Sequence, residues 1–331
     1  MIRQEKQLYT KQPYYEHCIA PFFGEGDAVL DITASGRYWR TSQLKSVTVI
    51  SGGQDEAVKT VWLSEKEADE YDMLAALNEK LDEARRIITY NGSSFDLPHL
   101  RRKYAAYGLQ DPFLPSKQYA DLFREYADIV RILGIPSRKL GDLSRFILRE
   151  AAFPLSDENE NQKPCFQTDD AERALLILGL KSCLELLGGA YRDFEAGLAD
   201  RSFGAGEMSA GPAARELLVL TLRSGRDLPV LCSFRDGDYH VRFERSSMRI
   251  GIPVRDGMIR IYHTDIGNYE YLPEEGCAVH RSLAQYVDPS RKEKASRETC
   301  FHLAPCTEEL LRDPARTESV IRSALAYLRS R

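Results

Sequence analysis

The sequence lacks most features that assign a class at a glance. It has no Cys-x-x-Cys pair, and its seven cysteines are an odd number. A disulfide framework and a paired zinc ribbon are both disfavoured, and a chain of 331 residues can bury a core without staples. The expectation is reduced, mostly buried thiols in a cytoplasmic protein. Cys300, His302 and Cys306 lie close together but have no second half, so their spacing reads as chance. There is no excess of positive charge: the net charge is -5 and the pI about 5.8. A duplex-wrapping protein would carry more. The balance is uneven, with -7 over residues 1–200 and +2 over residues 201–331, which leaves room for a local basic patch. The first residues hold no apolar run of the signal-peptide kind, and no stretch reads as a membrane span.

What is present is an ordinary globular composition, 43% hydrophobic and 29% charged. Residues 1–24 show no clear period and read as an irregular lead-in. Residues 28–33, 46–51 and 58–63 are apolar runs joined by short turns, which suits an antiparallel meander. Ser64 with Glu67 resembles a capping box, and Met73, Leu74, Leu77 and Leu81 form a helical face after it. Helices are expected over 123–133, from Ser137 to Arg149, and from Asp169 with an interruption near Gly188-Gly189. Residues 200–213, rich in glycine and small residues, are the best linker. Beyond them, six short apolar runs between residues 217 and 272, with Asp236-Gly237 and Asp256-Gly257 between them, predict an antiparallel sheet. Helices over 278–286 and 307–328 would pack on it. The divisions are therefore 1–24, 25–199, 200–213 and 214–331.

One stretch organises the rest: Ile87-Ile88-Thr89-Tyr90-Asn91-Gly92-Ser93-Ser94-Phe95-Asp96-Leu97-Pro98-His99-Leu100. It reads as a buried strand, a break at Asn91-Gly92, whose residue types tolerate positive φ, and a helix from Phe95 to Tyr107 capped by Ser93 or Ser94. Asp96 then stands in the first helical turn beyond the carboxyl end of a strand, where ligands of open α/β sheets collect. A carboxylate there suits either a metal ion or simple complementation of the helix dipole.

The order of three strands, helix, strand, helix and further helices is that of a ribonuclease H-like domain of the exonuclease type. Asn91-Gly92-Ser93-Ser94-Phe95-Asp96-Leu97-Pro98-His99-Leu100 resembles the second motif of the bacterial YprB-like branch of that superfamily. The resemblance covers roughly residues 25–195, and Leu272–Ser282 looks like C-terminal extensions of some YprB-like proteins. It implies an α/β fold with a mixed sheet and flanking helices, followed here by a β-rich α+β domain. It also implies phosphodiester hydrolysis with two divalent ions, Mg²⁺ or Mn²⁺, held by carboxylates.

The sequence departs from that pattern. Where the family carries Asp-x-Glu on its first strand, this chain has Asp31-Ile32-Thr33. Asp31 and Thr33 share one face of the strand, but Thr33 supplies no charge. Placed by helix register, the third motif falls on Leu178 and Ser182, where the family carries His and Asp. Asp170 stands twelve residues before Ser182, about 18 Å along a straight helix, too far to replace it if that register holds. Asp31 and Asp96 remain as catalytic or metal-binding candidates. Asn91, Arg101, Arg102 and Lys103 are candidate nucleic-acid contacts, with a solvated helix face as the plainer explanation of the three cations. Tyr38, Trp39 and Arg40 suit either base stacking or packing. The expected function is a nucleic-acid-binding domain with a degenerate exonuclease site. The alternatives are an active metal-dependent 3′–5′ exonuclease with a rebuilt site, and a protein–protein interaction module. Single-stranded nucleic acid is the expected partner, with a protein partner left open and no membrane.

Overall fold

The computed structural model describes residues 1–8, 21–52, 57–66, 68–135, 137–150, 170–197, 199–206 and 216–330. The chain divides into two compact units, residues 1–127 with 137–186, and residues 128–136 with 187–331.

The first unit is built on a six-stranded mixed sheet. Its strands are β1 (Ile2–Leu8), β2 (Asp27–Ala34), β3 (Leu44–Gly52), β4 (Ala57–Leu63), β5 (Arg86–Thr89) and β6 (Gln118–Asp121), in the order β1-β4-β3-β2-β5-β6. The three expected strands are present as β2, β3 and β4 and form the antiparallel meander. β5 joins β2 in parallel, with Ala28 opposite Ile87, and β6 joins β5 in parallel. The lead-in is not wholly irregular. Ile2–Leu8 forms β1, which pairs antiparallel with β4, because that strand offered a free edge. Residues 9–20 of the lead-in lie outside the described residues.

Alternation along β2 assigns its two faces. Ala28, Leu30 and Ile32 enter one core with Val47, Val49 and Trp62 of the neighbouring strands. That core is closed by α1 (Asp69–Asp82) and α2 (Asp96–Tyr107) through Met73, Leu74, Leu77, Leu81, Leu100 and Tyr104, all fully buried. Each such side chain contributes about 1.5–3 kcal/mol. Asp27, Val29, Asp31 and Thr33 belong to the opposite face by the same alternation.

The helix starts differ from the expected caps. α1 opens after Ala68 with no side-chain cap, and the Ser64 hydroxyl donates to the Lys66 carbonyl instead. Glu67 lies outside the described residues. α2 has Phe95 at its N-cap, and neither Ser93 nor Ser94 caps it. The helix expected over 123–133 is two short pieces, α3 (Leu122–Glu125) and α4 (Ala127–Ile132); α5 (Leu140–Glu150) follows. α6 (Asp170–Ala196) runs through Gly188-Gly189 without a break. Two glycines weaken a helix by about 1 kcal/mol each, and burial of its wide apolar stripe outweighs that. The segment Glu172–Ala196 is long and apolar enough to cross a bilayer by length and composition, contrary to the sequence reading, but most of it is buried inside the protein as a core helix.

The second unit begins its sheet inside the expected linker. Residues 200–206 form β7 (Asp200–Gly206), and residues 207–213 lie outside the described residues. β8 (Leu217–Arg223), β9 (Cys232–Asp236), β10 (Tyr239–Glu244) and β11 (Ser247–Pro253) complete an antiparallel sheet in the order β7-β8-β11-β10-β9. The Asp236-Gly237 signal closes the β9–β10 hairpin. Asp256-Gly257, both at positive φ, closes on the single bridge Arg255–Met258. The remaining strands leave this sheet. β12 (Met258–Tyr262), β13 (Tyr269–Leu272), β14 (Cys277–His280), β15 (Glu293–Lys294) and β16 (Phe301–Pro305) form one pair, β12-β16, and a three-stranded sheet, β14-β13-β15. The helix expected over 278–286 is a single turn, α7 (Arg281–Ala284). The last helix is divided into α8 (Glu308–Arg312) and α9 (Pro314–Arg329) because Asp313 caps a new start before Pro314.

Candidate active site

The turn after β5 is fixed by three features of the sequence. Asn91 adopts φ 61°, a conformation Asn tolerates better than most residues. Gly92 does not use positive φ; it is required by space, since a Cβ there would lie 2.5 Å from Thr89 Cβ. Asp121, at the end of β6, accepts hydrogen bonds from Asn91 N (2.7 Å), Ser93 N (3.1 Å) and Phe123 N (3.2 Å), and from the Ser93 hydroxyl. Asp121 is thus the organiser of this turn, a role its position in the sequence did not announce. The chain leaves the turn into α2 with Asp96 as its first residue.

The structure brings Asp31 and Asp96 close together. Both are buried, at 3% and 6% exposure. Asp96 Oδ1 accepts from Ile32 N at 3.1 Å, which ties the helix start to β2 one residue past Asp31. Burial, followed by the nearby Asp31 charge, pushes the Asp96 carboxyl up to about 7.

The residue that meets Asp31 from α6 is Arg173. Its Nε donates to Asp31 Oδ2 at 2.9 Å and its Nη2 to Oδ1 at 3.2 Å, a two-point guanidinium–carboxylate pair. The partners are 142 residues apart, and nothing in the sequence singled Arg173 out. Leu178 and Ser182 are not at this end of β2. Leu178 is buried, and Ser182 donates to the Leu178 carbonyl at 3.4 Å inside the helix. Their neighbour Lys181 donates to the Phe22 carbonyl and feels Asp27, at the start of β2. The helix therefore passes the site near Arg173, not near Ser182. The distance that set Asp170 aside loses its reference point, because Asp170 opens α6 only three residues before Arg173. Asp169 and the Asp170 side chain lie outside the described residues.

Among the other candidates, Lys103 needs correction. It is buried, pairs with Glu70 Oε2 at 2.9 Å and donates to the Ser42 carbonyl at 2.7 Å, so it holds the core and reaches no phosphate. Arg101 is exposed and bound to the Phe113 carbonyl at 2.8 Å; Arg102 is exposed. Asn91 acts through its backbone, as described. Thr33 is half-buried two residues from Asp31, with a shift of register between it and Ala34. His99 is buried, its Nε2 3.4 Å from the Ser42 hydroxyl.

Asp31 and Asp96 are the carboxylates that could hold a metal ion here. Among the described residues no group of three or more His, Cys, Asp or Glu side chains is placed to hold a metal ion. Among the described residues, both Asp31 oxygens engage the Arg173 guanidinium and Asp96 leans towards its neutral form, so these three groups together carry little net charge. A two-ion centre brings +4.

No curated protein matches the chain. Among solved structures, the zinc-bound E. coli ExoI–ssDNA complex aligns at 10% identity and a TM-score of 0.38, over 91% of this chain and 73% of that one. Exonuclease I from Methylocaldum szegediense aligns at 13% and 0.33, over 90% and 73%. A structure described as the apo form of the nuclease aligns at 18% and 0.26, over 54% and 77%. Likenesses this loose carry no argument about chemistry. Residues 29–153 match the family model of the RNase H superfamily, and with the mixed sheet and flanking helices that enclose them, the first unit has the ribonuclease H-like fold.

Proposed function

We propose that this is a cytoplasmic, bacterial, YprB-like protein whose ribonuclease H-like unit binds single-stranded nucleic acid and has an inactive or weak exonuclease site. The observation that carries this reading is the Arg173–Asp31 pair. A guanidinium supplies one fixed positive charge to the retained carboxylates and keeps them buried, but it has no open coordination position to activate water. Thr33 adds no charge beside it. Arg173 is itself about one-third exposed, so one side of the pair stays within reach of a phosphate.

The second reading, an active exonuclease with a rebuilt site, rests on the convergence of Asp31 and Asp96 at the carboxyl end of β5 and on the start of α6 at Asp170. One experiment separates the two. Labelled single-stranded DNA and RNA are incubated with the protein in Mg²⁺ and in Mn²⁺, alongside Asp31→Ala and Asp96→Ala. Retention of the strand without shortening is the expected result. Shortening that either substitution abolishes overturns it in favour of the enzyme. Absence of both binding and cleavage overturns both and points to a protein partner.

A further inference from the structure

The sheet of the second unit has two unlike faces. The register places Tyr239, Val241 and Phe243 of β10 on the same face as Met248, Ile250 and Ile252 of β11 and Leu218, Leu220 and Leu222 of β8. All nine are buried. The other face buries Leu217, Val219 and Pro253 towards one end and is polar towards the other, where its charges are arranged. Arg235 on β9 stands opposite His240 on β10, and two residues further along β10 comes Arg242. Arg242 is directly opposite Arg249 on β11. One further step of two residues, Ser247, is opposite Arg223 on β8. Because directly paired residues point to the same side of a sheet, the four arginines form one oblique row across four adjacent strands. With strands about 4.8 Å apart, the row spans about 14 Å across the sheet. Arg223, Arg235 and Arg242 are exposed and Arg249 is partly so.

Among the described residues, the acids on this face are Glu244, on β10, and Asp200, on β7 opposite Arg223. Glu244 lies 3.2 Å from Arg242 Nε and 3.6 Å from Arg249 Nη1, which spaces the two central guanidinia. The pairing with Arg242 engages one of five N–H donors. Among the described residues, the strands of this face carry four arginines and two carboxylates, in a chain whose net charge is -5. The choice of cation is also one-sided: residues 201–331 contain eighteen arginines and two lysines, and the guanidinium fork matches phosphate oxygens in a way an ammonium does not.

We propose that the row Arg235–Arg242–Arg249–Arg223 binds the phosphate backbone of a single nucleic-acid strand. A single row tracks one backbone, whereas a duplex presents two. The row itself contains no aromatic side chain, so bases are not stacked on it, and recognition is independent of sequence and strongly dependent on salt. This deepens the nucleic-acid-binding role proposed above and rests on it for the choice of polyanion; the row lies wholly within the second unit.

The test is fluorescence anisotropy of a labelled oligothymidylate of twenty nucleotides, titrated with the full chain at several salt concentrations. Arg235→Gln/Arg242→Gln is expected to weaken binding at least tenfold at low salt. It should also flatten the slope of log K against log salt by about 1.4, at about 0.7 for each phosphate that is no longer neutralised. Glu244→Gln is expected to tighten binding a few-fold, a gain that no failure to fold could mimic. Wild-type binding that neither variant changes overturns the row and leaves the proposed role of the first unit standing. Wild-type protein that binds no oligonucleotide overturns both. A duplex of equal length bound as tightly as the single strand, and released to the same degree by the double variant, overturns the single-strand assignment.

Discussion

Two groups of buried carboxylates in the first unit have opposite characters. Glu70 is fully buried, yet Lys103 Nζ lies 2.9 and 3.1 Å from its oxygens, Tyr107 donates to it at 2.8 Å, and Leu44 N donates to it as well. Its charge has a full set of local partners. Asp31 and Asp96 instead bring two carboxyl groups to one place, where Arg173 pairs with Asp31 and Asp96 is driven towards neutrality at about 7. The first arrangement is what a core does with an acid. The second concentrates carboxylates beyond what folding needs, which is how a site for cations is made.

The largest effect should come from the satisfied group. Lys103→Ala leaves the Glu70 carboxylate buried without its cation, and urea denaturation should show a loss of about 3–5 kcal/mol. A loss under about 1 kcal/mol would erase the contrast, since Glu70 would then have had access to water.

Asp96→Asn tests the other group through pH. The folded-state value of about 7 lies above the ordinary value of about 4, so the stability Asp96 contributes is full below pH 4 and is lost as pH rises through 7. Asparagine keeps an oxygen for Ile32 N and has no charge to bury. The variant should match wild type near pH 4 and exceed it by up to about 4 kcal/mol at pH 8. Parallel stability curves from pH 4 to 8 would show that Asp96 is stabilised as a carboxylate.

Arg173→Ala should lower stability by about 1–3 kcal/mol, less than a fully buried pair because the arginine is partly exposed. It should also gain Mn²⁺ binding by calorimetry, with the Asp31 oxygens released. A drop in stability with no gain of metal would make the pair purely structural. The smallest effect is expected from Arg101→Ala/Arg102→Ala on the exposed side of α2. Stability should stay within about 0.5 kcal/mol, and oligonucleotide affinity should fall less than in the second-unit variant Arg235→Gln/Arg242→Gln.

Short-range physics made parts of this molecule legible in the sequence. The runs forming β2, β3 and β4 and the turn at Asn91-Gly92 depend on alternation, β-branching and local backbone freedom. The same holds for the start of α2 at Asp96 and most strands of the second unit. Those are properties of neighbouring residues, so the sequence alone placed Asp31 on a strand and Asp96 in the first turn of a helix. Long-range pairing settled the rest. β1 found the edge of β4, residues 200–206 found β8, and β12 left its neighbour for β16. α6 ignored two glycines because burial outweighed them. Lys103 sits one residue beyond exposed Arg102 on the same helix, and only the packing of Glu70 against it turned a surface cation into a core one. Arg173 meets Asp31 across 142 residues, and no local preference encodes such a pairing. The sequence by itself singled out Asp31 and Asp96. The tertiary structure decided which cation answers them, because that depends on where a distant helix crosses the sheet.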